Sequence, residues 1–121
     1  MQLKDNIGIK GEILARTYLQ DNGFTIRHYN WRFGHKEIDI VADKNNILHI
    51  IEVKTRTSSY LAQPKEAVVR SKQKNIIAAA EAYIIQYNIN FDTQFDIISI
   101  IFNNNNSKIE YIPNAFSPYE K

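Results

Sequence analysis

The pair Asn45-Asn46 is the feature that most restricts how this chain can fold. It separates two segments rich in β-branched residues, Glu37–Ala42 and Ile47–Thr55. A two-residue hairpin loop needs a left-handed backbone at its centre, which asparagine tolerates better than most residues. A tight turn there pairs Lys44 with Ile47, and the rest of the register follows. Asp39 falls opposite Glu52, and Glu37 falls opposite Lys54.

Strand side chains alternate, so Glu37 and Asp39 are expected on one face and Ile38 and Ile40 on the other. The same rule puts Glu52 and Lys54 together, with Ile51 and Val53 turned away. Opposed side chains on paired strands have Cβ atoms about 4.5–5.5 Å apart. Two carboxylates that close repel each other unless something positive lies between them. A hard divalent cation such as Mg²⁺ or Mn²⁺ fits, since it takes carboxylate oxygens together with water and substrate phosphate. Lys54 beside it could orient water or offset transition-state charge. Arg32, Arg56, Lys72 and Lys74 are the candidates to hold a phosphate backbone.

The rest of the pattern supplies a scaffold. A helix is expected over Asn6–Gln20, with Ile7, Gly8, Leu14, Ala15, Tyr18 and Leu19 as its apolar stripe, Glu12 at the stripe's edge and Gly23 beyond its end. Phe24–Tyr29 reads as a strand and Asn30–Lys36 as a loop. Pro64 opens a helical region reaching Asn88, broken near Ser71, with Ile76, Ile77, Ala80, Tyr83 and Ile84 inward. Gln94–Phe102 and Lys108–Ile112 form a closing hairpin across the turn Asn103–Asn106. The expectation is an α/β domain of order α-β-β-β-α-β-β, a mixed sheet flanked by helices and filling residues 1–121 as one unit. His28, His35 and His49 are too dispersed to suggest zinc, although His35 could touch substrate. Trp31 and Tyr60 could stack on bases. Asp96, inside an apolar strand, reads as structural.

Bulk properties narrow the classes. The chain has 121 residues, is 44% hydrophobic and 23% charged, and carries a net charge of +2. That charge is too small for bulk attraction to nucleic acid, so phosphate binding must be local. The absence of cysteine excludes disulfides and thiolate zinc sites. Without a signal-like N-terminus or a long apolar run, a cytoplasmic protein with no membrane partner is expected.

The motifs in order, Gly11-Glu12, Asn30-Trp31-Arg32, Glu37-Ile38-Asp39-Ile40-Val41-Ala42, Ile51-Glu52-Val53-Lys54-Thr55-Arg56, Pro64, Ala67-Val68, Lys72, Phe95-Asp96 and Asn114-Ala115-Phe116, resemble the YraN-like family of small bacterial proteins. That family is grouped with the restriction-endonuclease-like, or PD-(D/E)xK, fold, to which archaeal Holliday-junction resolvases are similar. The resemblance implies a metal-dependent phosphodiesterase core. Asp39 and Glu52 take the places of its acidic ligands, Lys54 that of its lysine, and Glu12 that of a helix-one glutamate near the metal. The backbone carbonyl of Val53 would be a further ligand. Lys36, Gln63 and Gln94 depart from the family's usual glycine, glycine and arginine, which leaves the ligand positions intact; Lys36 and Gln63 bear on the shape of the substrate loops.

These readings converge on a Mg²⁺- or Mn²⁺-dependent endonuclease acting on DNA, branched or flapped DNA included. The competing expectation is a nucleic-acid-binding or assembly module that keeps the fold with little activity. A third is a protein-interaction domain whose acidic face meets a basic partner. A small nuclease that makes two cuts is expected to work as a homodimer.

Overall fold

A computed structural model describes residues 3–57 and 68–119. Pro64, Tyr60 and Gln63 lie outside the described residues. The elements are α1 (Leu3–Asp21), β1 (Thr25–Phe33), β2 (Lys36–Lys44), β3 (Ile47–Thr57), α2 (Arg70–Gln86), β4 (Asp92–Asn103) and β5 (Asn106–Phe116). This is the expected α-β-β-β-α-β-β order. The strands form one mixed sheet in the order β1-β2-β3-β4-β5. Neighbours are antiparallel except β3 and β4, which are parallel. A parallel pair needs a crossover, and α2 lies in it.

Local chemistry explains the turns. Asn45 and Asn46 adopt φ of 53° and 62°, and Lys44 pairs with Ile47 as the two-residue loop requires. Asparagine also holds the left-handed positions at Asn30, Asn88, Asn104 and Asn114. Gly23, at φ 87°, closes α1, and the Phe24 N–H returns to the Leu19 carbonyl at 2.9 Å.

The sheet is packed on both faces. Ala15 and Leu19 of α1 meet Ile40, Ala42, Ile51, Ile98 and Ile100. Ile76, Ala79, Ala80 and Tyr83 of α2 meet Ile38, Val41, Leu48, Ile50, Phe95 and Ile97. On the α1 side, Gly11 is buried directly against Thr55, and a Cβ there would collide with the threonine side chain. This close approach sets how low α1 sits on β3. Gly8, expected in the buried stripe, is exposed instead. Ile77 and Ile84 pack against the α2 core while remaining partly exposed.

Two further expectations need correction. The segment Asn30–Lys36 is mostly strand: β1 runs to Phe33, leaving Gly34 and His35 as the turn. In addition, Ile38 and Ile40 do not share a face. Tyr29 pairs with Ile40 and Trp31 with Ile38, yet Ile40 joins the α1 core and Ile38 the α2 core. Between the pairs lie Asn30, at φ 49°, and Asp39. A left-handed residue inside a strand breaks the pleat, so side chains two apart end on opposite faces. Asp39 sits at this break. Among the described residues, no helix is long and apolar enough to cross a membrane.

Candidate functional site

Pairing between β2 and β3 proceeds from Lys44↔Ile47 to Ile40↔Ile51 and then stops. Beyond that point the Asp39 side chain takes over: its Oδ2 accepts the Val53 N–H at 2.9 Å. A side chain has replaced a ladder bond, which lets the strands part while the amide stays satisfied. The N–H and C=O of a strand residue lie on the same side, so the Val53 carbonyl also points toward the gap. Beta4 meanwhile stays paired with β3 as far as Thr57↔Phe102. The gap therefore opens on one side of a strand that is supported on the other.

Asp39 and Glu52 meet in this gap through a side-chain hydrogen bond. Glu52 is only 5% exposed. Burial, then the charge of Glu52, pushes the Asp39 carboxyl up to about 7. The hydrogen bond from Val53 and the charge of Lys72 pull in the other direction without cancelling that rise. Two ammonium groups face the pair. Lys72 Nζ lies 2.6 Å from Glu52 Oε2, and Lys54 Nζ lies 4.0 Å from the same oxygen. The Lys72 ammonium is held above its ordinary range, chiefly by its bond to Glu52.

The remaining residues singled out in the sequence are spread more widely. Glu12 is not gathered with the pair; its ion-pair partner is Arg16, at 3.8 Å, whose guanidinium lies over the Tyr29 ring. Helix α1 covers the face of β3 that carries Ile51, whereas Glu52 and Lys72 meet on the α2 face. That difference of face keeps Glu12 out of the cluster. Glu37 does not pair with Lys54, because the β2–β3 ladder has already ended. It faces Arg32 across the β1–β2 ladder, at 3.9 Å. Lys74 is exposed on α2, and Arg56 is half-buried near the end of β3. Lys72, a candidate to hold a phosphate backbone, lies directly on the Glu52 carboxylate and lines the cavity over it.

A cavity of about 370 Å³ opens over the pair. His35, Lys36 and Glu37 form one wall, and Ser71, Lys72 and Asn75 of α2 form another. A larger cavity of about 740 Å³ lies at the opposite end of the sheet, between α2 and the Ser117–Tyr119 segment. Its lining includes Ile77, Ile84, Phe91 and Phe95 and lacks the contacting carboxylates of the smaller one. Convergent polar groups, rather than volume, mark the site.

The donor set fits a hard divalent ion. Two contacting carboxylates open to a polar cavity, which leaves further coordination for water and phosphate. Among the described residues, no group of three or more His, Asp or Glu side chains gathers closely enough to form a fuller cage.

A second polar cluster lies beneath α1. Asp96, fully buried, accepts hydrogen bonds from Tyr111 Oη at 2.6 Å, from Gln94 Nε2 at 3.0 Å and from the Asn114 N–H at 3.0 Å. It also bonds His49 Nδ1 at 2.7 Å. Burial alone would raise its carboxyl, but these bonds together hold it below the ordinary range. The bond to the Asn114 backbone ties β5 to β4 where their register shifts between Phe95 and Ile97. An aspartate within an apolar strand signalled such partners; which ones they were depended on the pairing of β3, β4 and β5.

Comparison with known proteins places this arrangement in context. The model of a family described as "Uncharacterised protein family UPF0102" matches residues 11–100. A UPF0102 protein of Bacteroides thetaiotaomicron is 47% identical over 94% of each chain. One from Parabacteroides distasonis is 39% identical over 96% of each. A third, from Porphyromonas gingivalis, is 39% identical over 90% of this chain and 82% of its own. The matched span contains Gly11, Asp39, Glu52, Lys54, Lys72 and Asp96. The chain therefore belongs to the uncharacterised family UPF0102, the YraN-like proteins that its motif order resembles.

Proposed function

We propose that this protein is a Mg²⁺- or Mn²⁺-dependent endonuclease that hydrolyses phosphodiester bonds in DNA, with branched DNA among its substrates. The observation that carries the reading is the contact between Asp39 and Glu52 where β2 leaves β3, with Lys54 and Lys72 beside them. A structural ion pair would not need a buried carboxylate in contact with a second, half-buried one. On this reading Asp39 and Glu52 hold the ion, with the Val53 carbonyl directed to the same gap. A bound divalent ion supplies Lewis acidity and lowers the pKa of water.

The chain's own groups do the rest. Lys54 is 27% exposed, dry enough for its charge to act strongly and open enough to meet a phosphate oxygen or an attacking water. His35 and Lys36 at the β1–β2 turn, with Ser71 and Asn75 on α2, line the cavity that receives the sugar-phosphate chain. Arg32, Arg56 and Lys74 extend the basic surface along the substrate path. Glu12 stays outside the ligand set, being paired with Arg16. A cytoplasmic homodimer, presenting two such sites to one DNA, completes the proposal.

The test has two stages. Mn²⁺ should raise the melting temperature of the wild type and leave that of Asp39→Ala unchanged. Flap, junction and single-stranded DNA should then be cut with Mn²⁺, and cutting should fall at least about a hundredfold in Glu52→Ala and Lys54→Ala, the scale of losing one charge-stabilising group. DNA binding without cleavage on any substrate would favour the non-enzymatic module, and cleavage unchanged in both variants would remove the mechanism.

A further inference from the structure

We propose that Lys72 is a displaceable counter-ion that couples cation binding at Asp39 and Glu52 to the arrival of a phosphate. The inference deepens the metal-dependent reading above and rests on it. Glu52 Oε2 holds the Lys72 ammonium at 2.6 Å, shorter than the usual contact for a charged nitrogen and oxygen. That oxygen belongs to a side chain 6% exposed, so it presents few directions to any cation. A divalent ion on the same oxygen would stand beside a like charge and would have to expel it.

Lys72 is built to leave. It lies in the first turn of α2, its side chain is 45% exposed, and it lines the cavity. Lys54 differs on each count. It stands 4.0 Å from Glu52 Oε2, is 27% exposed, and extends from the interior of β3. The two lysines therefore divide the work: Lys54 stays beside the reaction, and Lys72 trades a carboxylate for a phosphate. Reciprocal coupling follows, because a phosphate that takes Lys72 frees Glu52 for the ion, and an ion on Glu52 frees Lys72 for the phosphate. The site then becomes fully charged for chemistry only when both arrive.

Binding of Mn²⁺ alone, titrated by the electron paramagnetic resonance signal of the free ion, tests this without measuring catalysis. If Lys72 rests on Glu52 about nine-tenths of the time, Lys72→Met and Lys72→Gln should each bind Mn²⁺ about tenfold more tightly than the wild type. Lys72→Arg, which keeps the charge, should stay near the wild-type value. A single-stranded phosphorothioate DNA oligonucleotide should tighten Mn²⁺ binding to the wild type and have little effect on Lys72→Met. Should wild type bind Mn²⁺ in a manner lost in Asp39→Ala, while both neutral variants bind it no more tightly, Lys72 is no counter-ion and the metal site stands. Absence of Mn²⁺ binding in wild type and neutral variants alike would remove both the coupling and the metal reading.

Discussion

Replacing Asp39 with asparagine should make the protein more stable in the presence of a chelator, and only toward neutral and alkaline pH. The asparagine Oδ1 can still accept the Val53 N–H, so the strand separation survives. What disappears is one carboxylate pressed against another. The Asp39 carboxyl ionises near 3.8 in an unstructured chain and at about 7 in the fold, a difference worth about 4 kcal/mol. The sign follows from proton uptake. Between those two values the folded protein holds a proton that the unfolded chain has lost, so wild-type stability falls as pH rises from about 4 to about 7. Below the window both states are protonated and the variant has no advantage. Above it the full conflict is present, and Asp39→Asn should gain about 2–4 kcal/mol, or roughly 6–15 °C in melting temperature for a domain of this size. Urea unfolding in EDTA from pH 4.5 to 8.5 measures this directly. Equal stability at pH 8, or a difference that is the same at pH 5 and pH 8, would refute the reasoning.

Other perturbations probe the scaffold. Asp96→Ala leaves donors from Tyr111, Gln94 and Asn114 unpaired in a buried site and should destabilise by about 3–5 kcal/mol in denaturant titrations. Because the Asp96 carboxyl is held low, its contribution is present above the ordinary carboxylate range and lost as pH falls through the lower folded value; acid unfolding should be shallower in Asp96→Asn. Gly11→Ala drives a methyl into Thr55 and should cost about 1–3 kcal/mol, most of it recovered when Thr55→Ala is added; a single variant as stable as wild type would show that α1 yields freely. Asn46→Gly, at φ 62°, should raise the urea midpoint through a gain of up to about 1 kcal/mol.

Much of the site is legible in the sequence, because local rules carry it. Asn45-Asn46 sets the β2–β3 register, and alternation along β3 puts Glu52 and Lys54 opposite Ile51 and Val53. Those rules act over a few residues and do not depend on the rest of the fold. They failed where a second strand intervened. Asn30 takes a left-handed conformation inside β1, which moves Ile38 away from Ile40, and no pattern within β2 alone announces it. The end of the β2–β3 ladder was hidden for the same reason, and Glu37 consequently pairs with Arg32 rather than Lys54. Glu12 shows the limit of helix periodicity: its place at the edge of a stripe cannot say which face of the sheet the helix will cover. Lys72 reads in the sequence as a candidate for a phosphate backbone, and only the crossover of α2 brings it onto Glu52.

The parallel pairing of β3 with β4 also bears on the order in which the molecule assembles. Asp39 and Glu52 belong to a local hairpin of the kind that closes in about 1–10 μs. Ile47 and Asp92, the first pair of the parallel ladder, are 92 − 47 = 45 residues apart. Such distant contacts close late, since the entropy of the intervening loop must be overcome before they return any energy. The two acidic groups thus come together before the crossover delivers α2 and its lysine. Destabilising substitutions around Asn45-Asn46 should slow folding, whereas those on α2 should chiefly hasten unfolding. In the nascent chain the carboxylate pair and Lys54 precede Lys72, which α2 supplies.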